Sequence, residues 1–151
     1  MVKFVEMDEQ LTLSEQMEED TGPIIFINKF SMNSEDVDEF LKRWATDAAV
    51  FKKQPGFISA QLHRGIANSG TFINYAIWES TAHLKKAVNS VSVARISEYP
   101  ASVVISPHIF KKVAVPGICV GWIQGLNMLD DQIGLQTNKK RCTSNYRWST
   151  I

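Results

Sequence analysis

Alternating apolar and polar positions predict β-strands in the middle of the chain, and the clearest run is 71–80. Successive side chains of a strand point to opposite faces, so this run has two unlike sides. Asn74 and Trp78 fall on a side that combines an amide and an indole N–H with apolar groups, which suits the wall of a cavity. The opposite side, where Tyr75 lies between two isoleucines, is expected to pack under helices.

Three further runs predict strands over 23–30, 57–64 and 102–112. The turn residues at 65–70 predict that the second and third strands form an antiparallel hairpin. Pro107 favours an edge position or a bulge in the last strand, because proline lacks a backbone N–H. The following residues are expected to share the face of Asn74 and Trp78 and to bind a substrate: Phe26, Asn28, Gln61, His63, Ser106 and His108.

Apolar residues at three- and four-residue steps predict two helices, one after the first strand and one after the third. Either Asn33 or Ser34 is expected to cap the first helix, and Asp47 is assigned to its polar side. Either Ser80 or Thr81 is expected to cap the second, which ends before Pro100.

The element order β-α-β-β-α-β predicts an α+β fold of the ferredoxin-like type, an antiparallel sheet with both helices on one face. The uncovered face then carries four large aromatic residues, Phe26, Phe57, Phe72 and Trp78, which is too much apolar surface to leave in water. We therefore expect a homodimer in which two copies pack sheet to sheet.

Composition divides the chain into an acidic N-terminal extension (1–21), one domain (22–120) and a polar C-terminal tail (121–151). The extension holds seven acidic residues and one lysine, a net charge of −6, and is either solvated or lies on the mildly basic domain. Residues 1–10 and the last dozen residues are expected to add little stability. The tail either lacks regular structure or docks as a short helix around Trp122 and Leu126.

Over the whole chain, 16 basic residues balance 16 acidic ones, so charge gives no case for a nucleic-acid or membrane partner. Cys119 and Cys142 provide neither a disulfide framework nor the spacing of a metal site. The chain has no signal-peptide pattern and no apolar run of membrane-spanning length, which favours the cytoplasm.

Several segments resemble the antibiotic biosynthesis monooxygenase (ABM) domain, whose members are dimeric α+β barrels. The resemblance extends over 22–120. The superfamily includes oxygenases, haem-degrading enzymes and isomerases, so the resemblance specifies the fold more closely than the substrate. It rests on Phe-Ile-Asn (26–28), Gln-Pro-Gly-Phe-Ile-Ser (54–59), Gln-Leu-His-Arg-Gly (61–65), Asn-Tyr-Ala-Ile-Trp-Glu-Ser (74–80) and Ser-Pro-His-Ile-Phe (106–110).

The polyketide oxygenases of this family are similar in an Asn-x-x-x-Trp pair on the third strand, which falls here on Asn74 and Trp78. The resemblance implies that these two residues are catalytic, donating hydrogen bonds to an oxyanion or peroxide. It also implies oxidation of a small aromatic or quinol-like, polyketide-type substrate by O₂ with no metal and no cofactor. The tyrosines and the arginine of these oxygenases have no clean counterparts, since Tyr75 is assigned to the helix side and Arg95 corresponds only roughly.

Two alternatives remain open on the same residues. The haem-degrading branch uses an Asn on the first strand, a Trp on the third and an axial His on the second helix, and Asn28 and Trp78 match the first two. His83 lies in the first turn of that helix, whereas the haem ligand is expected near Val88, so haem is the weaker alternative. The third possibility is a non-catalytic dimeric module that binds a ligand.

Each candidate residue also has a structural explanation. Trp78 can fill core or interface volume, and the amide of Asn74 can bond to Gln61 or Ser59 across the hairpin. His63 and the histidine at 108 are either acid–base groups or structural residues.

Overall fold

The structure is a computed structural model that describes residues 2–91 and 98–119. Arg95, Cys142 and the predicted tail at 121–151, with its short helix, lie outside the described residues. The chain forms, in order, β1 (Lys3–Phe4), α1 (Leu13–Gln16), β2 (Ile24–Ser31), a 3₁₀ turn (Ser34–Asp36), α2 (Val37–Phe51), β3 (Phe57–Arg64), β4 (Thr71–Trp78), α3 (Thr81–Ser90) and β5 (Val104–Phe110).

The five strands form one sheet in the order β1-β5-β2-β4-β3. β2 pairs antiparallel with both β4 and β5, and β3 forms the predicted antiparallel hairpin with β4. The four longer strands and helices α2 and α3 reproduce the order β-α-β-β-α-β. The predicted α+β, ferredoxin-like fold is therefore confirmed, with β1 added in parallel at the β5 edge.

The helices cover one face of the sheet over two separate apolar clusters. The first cluster is built around Phe30, Phe40 and Phe72, whose rings are tilted against one another at centroid distances of 5.0 and 5.1 Å. The second is built around Trp78 and Leu84, at the opposite end of β4. In the part of the chain that the structure describes, no helix is long and apolar enough to cross a bilayer.

The helix-covered face of β4 is the side that carries Asn74 and Trp78, and the sequence-based assignment of the two sides is wrong. Phe72 and Trp78 are each 2% exposed, whereas Ile73 on the other side is 41% exposed and Tyr75 is half-buried. Both sides of β4 are apolar, so alternation separates them without deciding which one the helices bury. The aromatic side buries more area and faces the core.

This reversal removes the aromatic residues from the uncovered face. Phe26, Phe57, Phe72 and Trp78 all pack towards the helices, in the two clusters. These four aromatic residues therefore cannot form the sheet-to-sheet dimer interface that the sequence predicted.

A bulge in β3 breaks the alternation on which the predicted face of that strand depends. Phe57 pairs with Trp78, but the next pairing joins Ser59 to Ile77, so Ile58 is the extra residue. Phe57 consequently lies on the same side as Leu62, towards the helices. Gln61 pairs with Tyr75 and His63 with Ile73, which places both polar residues on the uncovered face.

In β5 the register with β2 decides the outcome. Pro107 lies opposite Asn28, and directly opposite residues share a face, so the side chain of Pro107 faces the helices. His108 pairs with Ile27 and Ser106 with Lys29, on the uncovered side. Beyond its two-residue pairing with β1, β5 is an edge strand, as the proline predicted.

The predicted N-terminal cap forms at α3 but not before α2. The Ser80 hydroxyl accepts a hydrogen bond from the His83 N–H at 3.2 Å and so caps α3 as predicted. Asn33 occupies the cap of the 3₁₀ turn before α2, but its side chain makes no capping bond.

The N-terminal extension lies on the domain. Lys3 and Phe4 pair with β5, and an α1 capping box joins Thr12 to Glu15. Two of the acidic residues meet lysines of the domain, Glu18 with Lys85 at 2.6 Å and Glu19 with Lys111. Residues 3 and 4 therefore belong to the domain sheet, and part of the acidic run lies on the basic domain.

Candidate active site

A cavity of about 210 Å³ lies between the helix-covered face of the sheet and helices α2 and α3. Its walls are mainly aromatic and aliphatic, as in sites for small organic ligands. Six lining residues carry polar side-chain atoms: Asn28, Trp44, Asp47, Asn74, Trp78 and Tyr99.

Two asparagines form the floor of this cavity. Asn28 of β2 lies directly opposite Asn74 of β4, and Pro107 is the neighbour of Asn28 on its other side. Side chains at directly opposite positions in an antiparallel pair have Cβ atoms about 4.5–5.5 Å apart. These amides occupy the positions between the two apolar clusters, so the core is interrupted by a polar pair at the cavity.

Two polar atoms of this site are buried and have no hydrogen-bond partner among the described residues. They are Oδ1 of Asn74, a residue only 9% exposed, and Nε1 of Trp78. Leaving such a group unpaired costs about 1–3 kcal/mol, which is why buried polar groups are nearly always bonded. An asparagine amide offers a carbonyl oxygen or an NH₂ group depending on its rotation, so Asn74 serves as acceptor or donor.

The structural explanation of Asn74 as a partner of Gln61 or Ser59 is wrong. Both residues lie on the opposite face of the sheet, and Gln61 Nε2 donates instead to the carbonyl of Leu62 at 3.1 Å. The amide is thus not part of a cross-hairpin bond.

Trp78 is held rigidly by two other aromatic rings. Phe57 lies edge-on to the indole with centroids 5.4 Å apart, and Phe51 does so at 6.4 Å, both at close to 90°. Trp78 therefore fills core volume and forms a cavity wall at the same time, and its indole has a fixed orientation.

A second polar part of the cavity wall consists of Asp47 of α2 and Tyr99, which are hydrogen-bonded to each other. Asp47 accepts a hydrogen bond from Arg43 Nη2 at 3.0 Å, and the Tyr99 hydroxyl donates one to the same carboxylate. Burial, and after it the charge of Asp47, raises the pKa of Tyr99 well above its ordinary value of 10.0, while Arg43 acts in the opposite direction. Tyr99 is therefore a neutral hydrogen-bond donor at physiological pH.

Sequence reasoning missed both of these residues. Asp47 was assigned to the polar side of its helix, but it follows Trp44 by three residues and precedes Phe51 by four. That spacing places it in the apolar stripe, and a carboxylate in such a stripe was the available signal. Tyr99 lies outside any periodic run, and no pattern pointed to it.

The structure brings four of the eight predicted site residues together around the cavity, Phe26, Asn28, Asn74 and Trp78. The other four, Gln61, His63, Ser106 and His108, lie on the uncovered face, so the prediction of one shared face is wrong for them. The imidazole of His108 is bonded to Gln16 Nε2 at 2.9 Å and packs on Phe110, while His63 is exposed.

The residues around the cavity do not fit a haem group. No histidine is among the lining residues, and Val88 occupies the helical position where an axial ligand is expected. The imidazole of His83 bonds the Ser80 hydroxyl at 2.9 Å. Residues 2–91 and 98–119 contain no cluster of three His, Cys, Asp or Glu side chains that could hold a metal ion.

A mainly antiparallel sheet, two helices on one face and an apolar cavity between them define a ferredoxin-like α+β protein with an internal cavity. The sequence profile of the family "Antibiotic biosynthesis monooxygenase" matches residues 23–99, about half of the chain. The chain belongs to this family.

A curated relative is deoxynogalonate monooxygenase from Streptomyces nogalater, 29% identical over 69 residues, which is 46% of this chain and 58% of that protein. The match therefore spans little more than half of that relative. Among solved structures, SnoaB, a cofactor-independent oxygenase from the same organism, aligns with a TM-score of 0.57 at 21% identity over 64% of this chain and 99% of its own. The haem-degrader MhuD from Mycobacterium tuberculosis aligns with a TM-score of 0.50 at 24% identity over 63% and 100%. These two structures share the fold of this chain.

Proposed function

We propose that this chain is a monooxygenase that oxidises a small aromatic or quinol-like, polyketide-type substrate with O₂ and without a cofactor. The observation that carries the proposal is a pair of buried polar atoms, on Asn74 and Trp78, that have no partner among residues 2–91 and 98–119 and lie in the wall of an aromatic-lined cavity. Membership of the monooxygenase family and the similarity to deoxynogalonate monooxygenase support the same reaction class.

The chemistry asks little of the protein because the substrate is itself the reductant. A phenol or anthrone loses an acidic proton, and the resulting anion donates one electron to O₂. Superoxide and the substrate radical then combine into a peroxide at carbon. Protonation of the peroxide and loss of water leave a carbonyl group, so that one ring CH₂ and one O₂ become one ketone and one water.

Asn74 and Trp78 are the proposed catalytic residues. Their Cα atoms lie about 13 Å apart along β4, since each strand residue rises about 3.3 Å. The amide and the indole therefore approach a bound ligand from different sides of Ala76. Preorganised donors of this kind stabilise the negative charge that develops on oxygen, and their orientation costs nothing at the moment of reaction.

Other lining residues bind the substrate in this proposal. Phe26 provides an aromatic surface and Asn28 a second amide beside Asn74. In the Asp47–Tyr99 pair the Tyr99 proton is donated to Asp47, so the pair offers acceptor oxygens to a ring hydroxyl. The apolar walls exclude water from the reactive intermediates, which limits side reactions.

Oxygen uptake tests the proposal directly. Purified protein treated with a chelator is mixed with anthrone, and O₂ consumption is followed with an electrode while anthraquinone is identified by mass spectrometry. We expect uptake in proportion to protein concentration and well above the rate of anthrone in buffer. Uptake equal to buffer, together with anthrone binding, would favour the non-catalytic ligand-binding module.

We also propose that the protein is a homodimer through the uncovered face of the sheet, centred on Ile73, Tyr75 and Ile77. These residues alternate along β4, and Ile73 is 41% exposed although it lies on an inner strand of the sheet. A flat sheet face with such side chains is suited to an isologous contact. The exposed free thiol of Cys119 is compatible with the reducing cytoplasm, which we propose as the location.

A further inference from the structure

The N-terminal extension contributes two side chains to the wall of the cavity. Phe4 of β1 and Leu13 of α1 both line it, although the family match begins only at residue 23. The parallel pairing of Phe4 with Ile105 explains the first contact, because Ile105 also lines the cavity and paired residues share a face.

The extension is tied to the domain at both of its ends. At the start, the N–H groups of Lys3 and Val5 donate to the carbonyls of Val103 and Ile105 at 3.1 and 2.9 Å. Near the far end, Gln16 Oε1 accepts from the Ile109 N–H at 2.7 Å, which satisfies a backbone donor on the open edge of β5.

The residues just before the domain are anchored on α3. The Thr81 hydroxyl donates to the carbonyl of Glu19 at 2.6 Å, and Thr81 itself is 1% exposed. Lys85, one turn further along α3, bonds Glu18 at 2.6 Å. The extension therefore spans from the β5 edge to the N-terminus of α3.

Between these anchors, local bonds fix the position of Leu13. The capping box of Thr12 and Glu15 starts the single turn of α1, and Glu6 Oε2 accepts from the Leu13 N–H at 2.9 Å. Leu13 is thus presented to the cavity by a turn with its own hydrogen bonds rather than by a free chain end.

We propose that residues 2–21 form a closing wall of the cavity and that Phe4 and Leu13 set the size of the aromatic ligand that fits. This inference rests on the cavity being a ligand site, as in the proposed function, but not on oxidation taking place there. The ligand class is an aromatic molecule of two or three fused rings that carries a phenol or ketone oxygen. In an apolar pocket, one methylene group more or less changes affinity about 10- to 200-fold, so two side chains suffice to select ring number.

The test compares a two-ring and a three-ring probe, 1-naphthol and anthrone. Trp44 and Trp78 line the cavity, so quenching of intrinsic fluorescence reports binding. Leu13→Phe fills part of the cavity and is expected to weaken anthrone binding about tenfold or more while 1-naphthol changes less than about threefold. Leu13→Ala and Phe4→Ala enlarge the cavity and are expected to lower the Kd of anthrone relative to the Kd of 1-naphthol. Phe4 is 55% exposed, so its truncation leaves the fold intact.

Leu11→Ala is the matched control, because Leu11 belongs to the same segment, is 43% exposed and does not line the cavity. Its Kd ratio should equal that of the parent. The proposal is overturned if the Leu13 and Phe4 variants leave the ratio unchanged, if Leu11→Ala shifts it equally, or if the parent binds neither probe. Size selection without oxygen uptake would support the closing wall and contradict only the monooxygenase proposal.

Discussion

At the scale of single residues, Trp78 combines two roles that its variants can separate. The ring fills the space between Phe51 and Phe57, and the indole N–H is a buried donor without a partner in the described part of the chain. A structural tryptophan needs only the ring, whereas a catalytic one needs the N–H.

Trp78→Phe is expected to lower turnover of anthrone about 10-fold or more, because it removes one preorganised donor. The free energy of unfolding should fall by only about 1–2 kcal/mol, since most of the aromatic packing remains. Trp44→Phe is the matched control, because Trp44 lines the same cavity and its indole nitrogen is not a buried unpaired group. Equal losses of turnover in the two variants would contradict a specific role for the Trp78 N–H.

Tyr99 makes stability depend on alkaline pH. Its raised pKa means that the folded protein keeps the phenol proton at pH values where the unfolded chain has lost it. The folded state then binds more protons, so stability is intact below the ordinary pKa of 10.0 and falls as pH rises above it. The slope is about 1.4 kcal/mol per pH unit.

Tyr99→Phe should remove this part of the alkaline loss. Denaturant unfolding of the parent and the variant at about pH 8 and about pH 11 measures it, and the parent should lose about 1 kcal/mol more than the variant. Identical losses would mean that the hydroxyl is not buried against Asp47.

At the scale of the elements, the strands and helices could be predicted from the sequence, whereas the sides they present could not. Alternation located β4, and apolar spacing located α2 and α3, because local periodicity determines these elements. The bulge at Ile58 and the Asn28–Pro107 register are decided by pairing across strands, which a single strand's pattern does not contain. These two features explain why four polar residues lie on the opposite face from the one predicted: Gln61, His63, Ser106 and His108.

The turn before β3 depends on a glycine. Gly56 has a φ of +80°, and a Cβ there would lie 2.2 Å from Cγ of His83. Gly56→Ala is therefore expected to destabilise the protein by about 2–4 kcal/mol, from backbone strain and from overpacking against α3.

Gly117→Ala is the control for the backbone term alone. Gly117 has a similar φ of +75°, but no atom of the described residues lies within 4 Å of its Cβ position. Its substitution should cost about 1 kcal/mol. Thermal or denaturant unfolding measures both, and equal costs would contradict the packing of His83 on Gly56.

At the scale of the whole molecule, the uncovered sheet face predicts self-association. Ile73→Glu places a charge in the middle of that face, and burying it in an isologous contact would place two like charges close together. We expect the parent to be a dimer in light scattering at micromolar concentration and Ile73→Glu to be a monomer. Ile66→Glu, at the 93% exposed hairpin tip, should remain a dimer, and a monomeric parent would contradict the proposal.

The sequence predicted only part of the candidate site, because the rest of the cavity wall is assembled by tertiary packing. Asn74, Trp78 and Asn28 were recognised because polar groups in an apolar strand are unusual and the family resemblance named them. Asp47, Tyr99, Phe4 and Leu13 reach the cavity only through tertiary packing of α2, the segment before β5 and the N-terminal extension. For Asp47 the apolar stripe of α2 contains a local signal, but no local pattern places Tyr99, Phe4 or Leu13 at the cavity.

The most direct test of the account is the rate of anthrone oxidation by Asn74→Ala. The variant loses the amide beside Asn28, and turnover should fall about 100-fold or more, as on loss of an oxyanion donor. Stability should change by no more than about 1–2 kcal/mol. Asn89→Ala, on the exposed side of α3, should oxidise anthrone like the parent. If Asn74→Ala oxidises anthrone as fast as the parent and Asn89→Ala, Asn74 is a structural residue and the proposed catalytic site is wrong.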